Sequence, residues 1–416
     1  MADPPSAADI HDDTLRLAKR LIACRSLTPA DAGCLDLIAS RLTAAGFHCE
    51  RLDRGGVSNI WARRGQSAPL VCLAGHVDVV APGPLTRWTS DPFVPVERDG
   101  YLYGRGAADM KTPLAAMVTA AERVVTAHPN HGGSIAFLLT SDEEGDAVDG
   151  TAAVVETLRS RGETIDACIV GEATSSERLG DVMKNGRRGS LTGALCVKGV
   201  QCHIAYPERG RNPIHAALPA LAELAAIEWD PGNDDFPATG FQISNVHAGT
   251  GSINVIPGLF ELQFNFRFSP AVPVEQLEAR VHEILDRHGL EYDLAWTLGA
   301  SPFLTPRGRL VHTLSAAVAG VTGLEPQLST SGGTSDGRFL AAIAREVVEF
   351  GPVNASVHMV DERVRLADIG PLSTIYEQAI VRLLADGSFE LSRGSSDPPG
   401  GRSNNRSVGV TAHCGR

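Results

Sequence analysis

The chain has 416 residues, with Lys+Arg 37 against Asp+Glu 49, a formal net charge of −12, 43% hydrophobic and 21% charged residues. That length exceeds one ordinary core and predicts two domains. No run approaches the roughly 20 apolar residues of a spanning helix. The acidic start MADPPSAADIHDD lacks the features of a secretory signal. An acidic chain without basic blocks is also a poor nucleic-acid binder. Its eight cysteines, at 24, 34, 49, 72, 168, 196, 202 and 414, include no Cys-x-x-Cys pair. Most lie in apolar runs, which predicts reduced thiols in a cytoplasmic protein and no disulfide framework.

Helical periodicity at 13–22 and 34–45 leads to a strand-like run at 70–74. A helix is predicted at 112–126, where Pro113 suits a first turn, then a strand at 134–140, a helix near 150–161 and a strand at 166–170. Strands alternating with helices predict an α/β layer with a mostly parallel central sheet. The pattern then changes. A strand at 190–200, a helix at 213–227, strands at 241–246 and 259–268, a helix at 274–288 and a strand at 290–298 give the order βαββαβ of a small α+β domain. In one of these strands Phe260, Leu262, Phe264, Phe266 and Phe268 alternate with polar residues, marking a sheet with one buried face. Helices at 310–321, 337–344 and 366–384 and a strand at 346–350 follow. The last segment, rich in Ser, Gly, Pro, Asn and Arg, predicts a disordered tail. The expected organisation is a catalytic domain from 1–188 and 301–384, an inserted domain at 189–300 and a tail at 385–416.

Three strand-like runs end in side chains suited to metal binding: His76 with Asp78, Glu143 with Glu144, and Glu172. Ligands bind beyond the carboxyl ends of strands in open α/β sheets, so these residues are expected in one crevice. Asp109 follows Gly104-Arg105-Gly106 and precedes a helix, and the glycines would let it turn inward. Histidine and carboxylates suit Zn²⁺ or a similar dication, and Asp78 reads as a carboxylate orienting His76. Of two adjacent glutamates, one can bind metal while the other accepts a proton.

These segments, Gly75–Val80, Gly104–Lys111 and Thr140–Gly145, resemble the signature of the dinuclear-zinc metallopeptidase family that includes aminoacylase, carboxypeptidase G2 and acetylornithine deacetylase. Asn185–Ser190, Ala205-Tyr206-Pro207, Asn212–His215, Asn254–Pro257, Ser331–Phe339 and Gly351–Asn354 before His358 are similar to its branch that removes succinyl groups from diaminopimelate. The match is collinear over residues 14–384.

The resemblance implies a zinc-peptidase-like catalytic domain with an inserted ferredoxin-like lid and dimerisation domain, and hence a homodimer. It implies two Zn²⁺ per subunit, with Co²⁺ as a substitute. His76 and Glu172 would hold one, Glu144 and His358 the other, and Asp109 would bridge, often with a cis peptide after it. Glu143 would be the general base, aided by Asp78, and His203 the donor to the oxyanion. Hydrolysis of N-succinyl-LL-2,6-diaminopimelate in lysine biosynthesis is the implied activity. This small anionic substrate would be met by Lys184, Arg187, Arg188, Tyr206, Asn254, Arg267, Gly333, Thr334 and Asn354, since guanidinium forks suit carboxylates. Cys202 and Met359-Val360-Asp361-Glu362 depart from common family patterns. The alternatives are an acetylornithine deacetylase, another amidase or dipeptidase of the family, or a zinc-binding protein without activity.

Overall fold

The Leu70–His76 strand is apolar along most of its length and buried at every position, as a strand covered on both faces requires. Val71 and Leu73 point into one apolar cluster, while Leu70, Cys72 and Ala74 point into another. The same split separates Ile135, Phe137 and Leu139 from Ala136 and Leu138 on the Ser134–Thr140 strand. In the first cluster these residues meet helices Ala7–Ala23, Cys34–Ala44, Thr112–Ala127, Arg309–Thr322 and Leu366–Ala385. Helices Thr151–Ser160 and Gly337–Leu340 cover the other face.

The computed structural model describes residues 6–385. Within them, residues 6–187 and 303–385 form one unit and Arg188–Pro302 forms another. The proposed tail lies outside the described residues except for Ala385, which ends the last helix.

In the first unit an eight-stranded sheet runs His48–Arg51, Asn59–Arg64, Ser134–Thr140, Leu70–His76, Ile165–Val170, Ala344–Glu349, Val182–Lys184 and Gln327–Ser329. Its four inner strands, from Ser134–Thr140 to Ala344–Glu349, are mutually parallel. His76 pairs in register with Thr140, and Ala74 with Val170. The segments after these three strands therefore emerge at one edge of the sheet, which places the site.

Most elements match their expected places, and the differences have local causes. The first helix starts at Ala7 because Ser6 and Asp9 form a capping box. His48–Arg51 and Asn59–Arg64, absent from the sequence reading, extend the sheet antiparallel. Their charged residues mask the apolar pattern. The expected helix at 337–344 stops at Leu340, and Ala344 already begins a strand.

In the second unit Gly189–Lys198, Gly240–Ala248, Leu259–Phe268 and Tyr292–Ala300 form an antiparallel sheet in the order second, third, first, fourth strand. Helices Pro213–Ala226 and Val274–Arg287 contribute to the same core as its apolar face. The expected alternation holds from Phe260 to Phe268. Among the described residues no helix is long and apolar enough to cross a membrane. Cys24, Cys34, Cys49, Cys72, Cys168 and Cys202 are free thiols.

Phe264 is fully buried, with ring centroids of Phe241 at 5.1 Å and Trp296 at 5.4 Å. Phe264→Ala is expected to cost the second unit about 3–5 kcal/mol, seen in denaturant unfolding followed by tryptophan fluorescence. A loss under about 1 kcal/mol would contradict this account of its core.

Candidate metal centre

His76 closes its strand with the imidazole almost fully buried. Its Nδ1 lies 2.9 Å from the Asp78 carbonyl and 3.6 Å from Asp78 Oδ1. Asp78 thus fixes the ring chiefly through its backbone. Its carboxylate instead accepts the N–H groups of Glu143 at 3.3 Å and Glu144 at 3.1 Å, holding the turn that carries both glutamates.

Asp109 arrives on a tight loop. Gly106 has φ 82°, and a Cβ there would come within 2.7 Å of Val79 Cγ1. Asp109–Met110 is a cis peptide, as the family resemblance implies. Glu172 follows the Ile165–Val170 strand after a single glycine, Gly171. Gly351 packs so closely on it that a Cβ would lie 2.3 Å from the Glu172 carbonyl oxygen.

The side chains meet in two groups, His76–Asp109–Glu172 and Asp109–Glu144–His358, whose candidate ligand atoms lie within 4.8 Å of one another in each group. Asp109 belongs to both. Its Oδ1 is 3.1 Å from His76 Nε2, its Oδ2 is 3.4 Å from His358 Nε2, and Glu144 Oε1 is 2.8 Å from the same His358 nitrogen. Glu172 Oε1 is buried without a hydrogen-bond partner. A buried carboxylate oxygen of this kind is costly unless a cation satisfies it, and mixed imidazole and carboxylate donors suit a zinc-like dication. The residues fit two such ions sharing Asp109.

Burial raises the Glu172 carboxyl well above its ordinary range, and the charges of Asp109 and Glu143 add to the effect. Burial also lifts Glu143 to about 8, with Asp336, Asp109 and Glu144 contributing. Burial works against a charged His76 ring, but its hydrogen bonds to Asp109 and Asp78 outweigh this and raise it. Hydrogen bonds to Asp109 and Glu144 lift His358 to about 10. For Asp109 burial is outweighed by hydrogen bonds from His358 and His76, which lower it. Glu143 belongs to neither ligand group, yet it is close enough to His76 and Asp109 to feel their charges. A carboxylate raised toward neutral pH beside a metal centre is suited to accept and return a proton.

Two expected substrate cations are engaged otherwise. Arg187 donates from Nε to Glu349 Oε2 at 2.8 Å, pairs with it again through Nη2, and donates from Nη1 to the Ser331 carbonyl at 3.1 Å. Lys184 Nζ donates to Ser329 Oγ at 3.0 Å and Ser331 Oγ at 2.9 Å. Both contact the 329–331 segment. Gly333 is exposed and Thr334 half-buried on that loop. Asn354 is exposed, its N–H bonded to the Ser175 carbonyl at 2.9 Å.

The remaining candidates belong to the second unit. His203 and Tyr206 are exposed, with ring centroids 5.7 Å apart, and the Asn254 carbonyl accepts the Ile204 N–H at 2.9 Å. Those three therefore share one surface. Arg188 and Arg267 sit near enough that Arg267, after burial, lowers the Arg188 guanidinium.

Sequence reading missed Glu349, which anchors Arg187 and accepts the Ser335 hydroxyl. It also took Glu362 only as part of a departure from pattern. Their partners are backbone N–H groups or residues remote in sequence, so no local signal marks them.

The pattern of peptidase family M20/M25/M40 matches residues 72–382. The chain is 62% identical over 370 residues to a succinyl-diaminopimelate desuccinylase of Bordetella parapertussis, covering 89% of this chain and 98% of that one. It is 61% identical over 375 residues to the Nitrosomonas europaea protein of the same name, covering 90% and 100%. Among solved structures, an M20 family metallo-carboxypeptidase of Sulfolobus solfataricus aligns with TM-score 0.74 at 16% identity over 89% of this chain and 99% of that one. A dinuclear metal-binding M20 peptidase of Bacillus subtilis aligns with TM-score 0.69 at 17% identity, over 90% and 98%.

Two outcomes follow from this geometry. At pH 7 the metal-free protein carries a proton on His358, raised to about 10, which a cation must displace. Cation binding should therefore release protons and strengthen with pH, as calorimetry in buffers of different ionisation enthalpy will reveal; heats independent of buffer would contradict the assignment. Gly351→Ala should displace Glu172 and weaken cation binding about 10–100-fold, the usual scale for disturbing a ligand's support. Unchanged titration of the folded variant would contradict it.

Proposed function

The chain belongs to peptidase family M20/M25/M40, and from that premise we propose that it hydrolyses the amide of N-succinyl-LL-2,6-diaminopimelate to succinate and LL-2,6-diaminopimelate, a step of lysine and diaminopimelate biosynthesis. The observation that carries the hydrolytic reading is the pair of donor groups hinged on Asp109, beside a glutamate that joins neither. The succinyl group rests on similarity to the named desuccinylases.

We assign His76, Asp109 and Glu172 to one cation and Asp109, Glu144 and His358 to the other, with zinc in both and cobalt able to replace it. Bound dications supply Lewis-acid polarisation of the amide and ease deprotonation of water. Glu143 takes the proton of the attacking water and returns it to the leaving amine. Asp78 holds Glu143 and Glu144 by their backbone N–H groups. His203 is assigned as donor to the oxyanion.

The substrate carries three carboxylates. Arg188 and Arg267 are the cations we assign to them, supported by their mutual proximity, with Tyr206, Asn254, Gly333, Thr334 and Asn354 as further contacts. Arg187 and Lys184 then act by shaping the 329–335 loop. A homodimer through the second unit is supported by its edge strand Gly240–Ala248, where residues 244–248 are all exposed. Such an edge offers open backbone groups to a second copy. A biosynthetic enzyme of this kind belongs in the cytoplasm.

Amine release from N-succinyl-LL-2,6-diaminopimelate, assayed beside N-acetylornithine, tests the choice of substrate. The succinyl compound should turn over faster; preference for the acetyl compound would make the chain a deacetylase of the same family. Glu143→Gln should lower kcat by about 10²–10⁴-fold, the usual contribution of a general base, while the protein still binds cations. An unchanged rate would remove Glu143 from the reaction, and absence of hydrolysis in the cation-loaded wild type would favour a binding protein.

A further inference from the structure

The segment that presents His358 also carries a carboxylate that builds the loop of Asp109. Glu362 is fully buried. Its Oε1 accepts the N–H groups of Ala108 at 2.9 Å and Asp109 at 3.0 Å. Its Oε2 accepts the Gly106 N–H at 2.9 Å and Arg105 Nη1 at 2.7 Å. Its carbonyl oxygen takes the Gly104 N–H at 3.0 Å. Five donors from one short loop thus converge on a single residue.

The other end of the segment is equally constrained. His358 and Asp361 adopt φ values of 61° and 59°, a left-handed conformation uncommon outside glycine, though Asp and His enter it more readily than most. Asp361 Oδ1 accepts both the N–H of Thr89 at 2.9 Å and its hydroxyl at 3.0 Å. Arg105, which spans the gap, also donates to the Met359 carbonyl at 3.3 Å and lies over the Trp88 ring.

We propose that Glu362 is a positioning residue of the two-cation centre, fixing the Asp109 loop against the His358 segment so that one carboxylate can serve both histidine-bearing groups. The inference rests on the two-cation reading. Glu362 touches neither the cations nor the substrate, and it acts by presenting four acceptor positions to the loop. Glu362→Gln replaces one oxygen by an NH₂ group, which turns donors onto two N–H partners. Glu362→Asp keeps the charge and withdraws it by one methylene.

The test is titration of metal-free wild type, Glu362→Gln and Glu362→Asp with Co²⁺, read by visible absorption and calorimetry, with melting temperatures taken with and without the ion. Both variants are expected to bind Co²⁺ about 10–100-fold more weakly, with an altered cobalt spectrum and a smaller cation-induced rise in melting temperature than wild type. At saturating cation kcat should fall with KM nearly unchanged. A purely structural role would lower both melting temperatures equally and leave affinity and spectrum alone. Wild-type affinity and spectrum in either folded variant overturns the proposal, as does a variant that unfolds without cation yet regains the wild-type spectrum when refolded with it. Binding of only one equivalent by the wild type would instead overturn the two-cation reading itself.

Discussion

The Asp109 carboxylate turns one oxygen toward His76 and the other toward His358, and the surrounding architecture serves that arrangement. His76 comes from the end of an inner strand, Glu144 and Glu172 from the turns after its two neighbours, and His358 from a loop far along the chain. Parallel pairing in register brings the first three to one edge of the sheet. A tight loop brings Asp109 to His76 and His358. The glycines, the cis peptide and the Glu362 acceptors all lie within that loop or against it.

Crowding Asp78, Asp109, Glu143, Glu144 and Glu172 into one region is electrostatically unfavourable. Their environment shows how the cost is divided. Hydrogen bonds stabilise Asp109 and Asp78 as anions, while Glu143 and Glu172 rise because burial and neighbouring charge oppose ionisation. Buried like charges of this kind need protons or cations to coexist. The formal charge of −12 therefore includes a local concentration of acids.

Residues placed by regular structure were the most legible in sequence. His76, the Glu143–Glu144 pair and Glu172 each follow a short apolar run, and strand ends in an α/β layer are where chemistry gathers. The alternation from Phe260 to Phe268 disclosed the second sheet for the same reason. His358 had no such marker: it stands in a loop, and only resemblance to a family drew attention to it. The ion pair of Arg187 was not legible because its partner Glu349 lies 162 residues away. Glu362 was illegible because its partners are mostly backbone N–H groups, which every residue carries. The strands at His48–Arg51 and Asn59–Arg64 escaped because the first is short and mostly polar and the second carries only three consecutive apolar residues, Ile60–Ala62.

The most direct measurement of the central claim is electron paramagnetic resonance of the protein loaded with Co²⁺ or Mn²⁺ in increasing equivalents. On the proposed two-cation reading, a shared Asp109 carboxylate would place two ions about 3.5–4 Å apart. The account therefore predicts that the second equivalent produces the signature of a magnetically coupled pair, and that Asp109→Ala abolishes it. A fully loaded spectrum equal to the sum of isolated ions would contradict the bridging carboxylate on which the site is built.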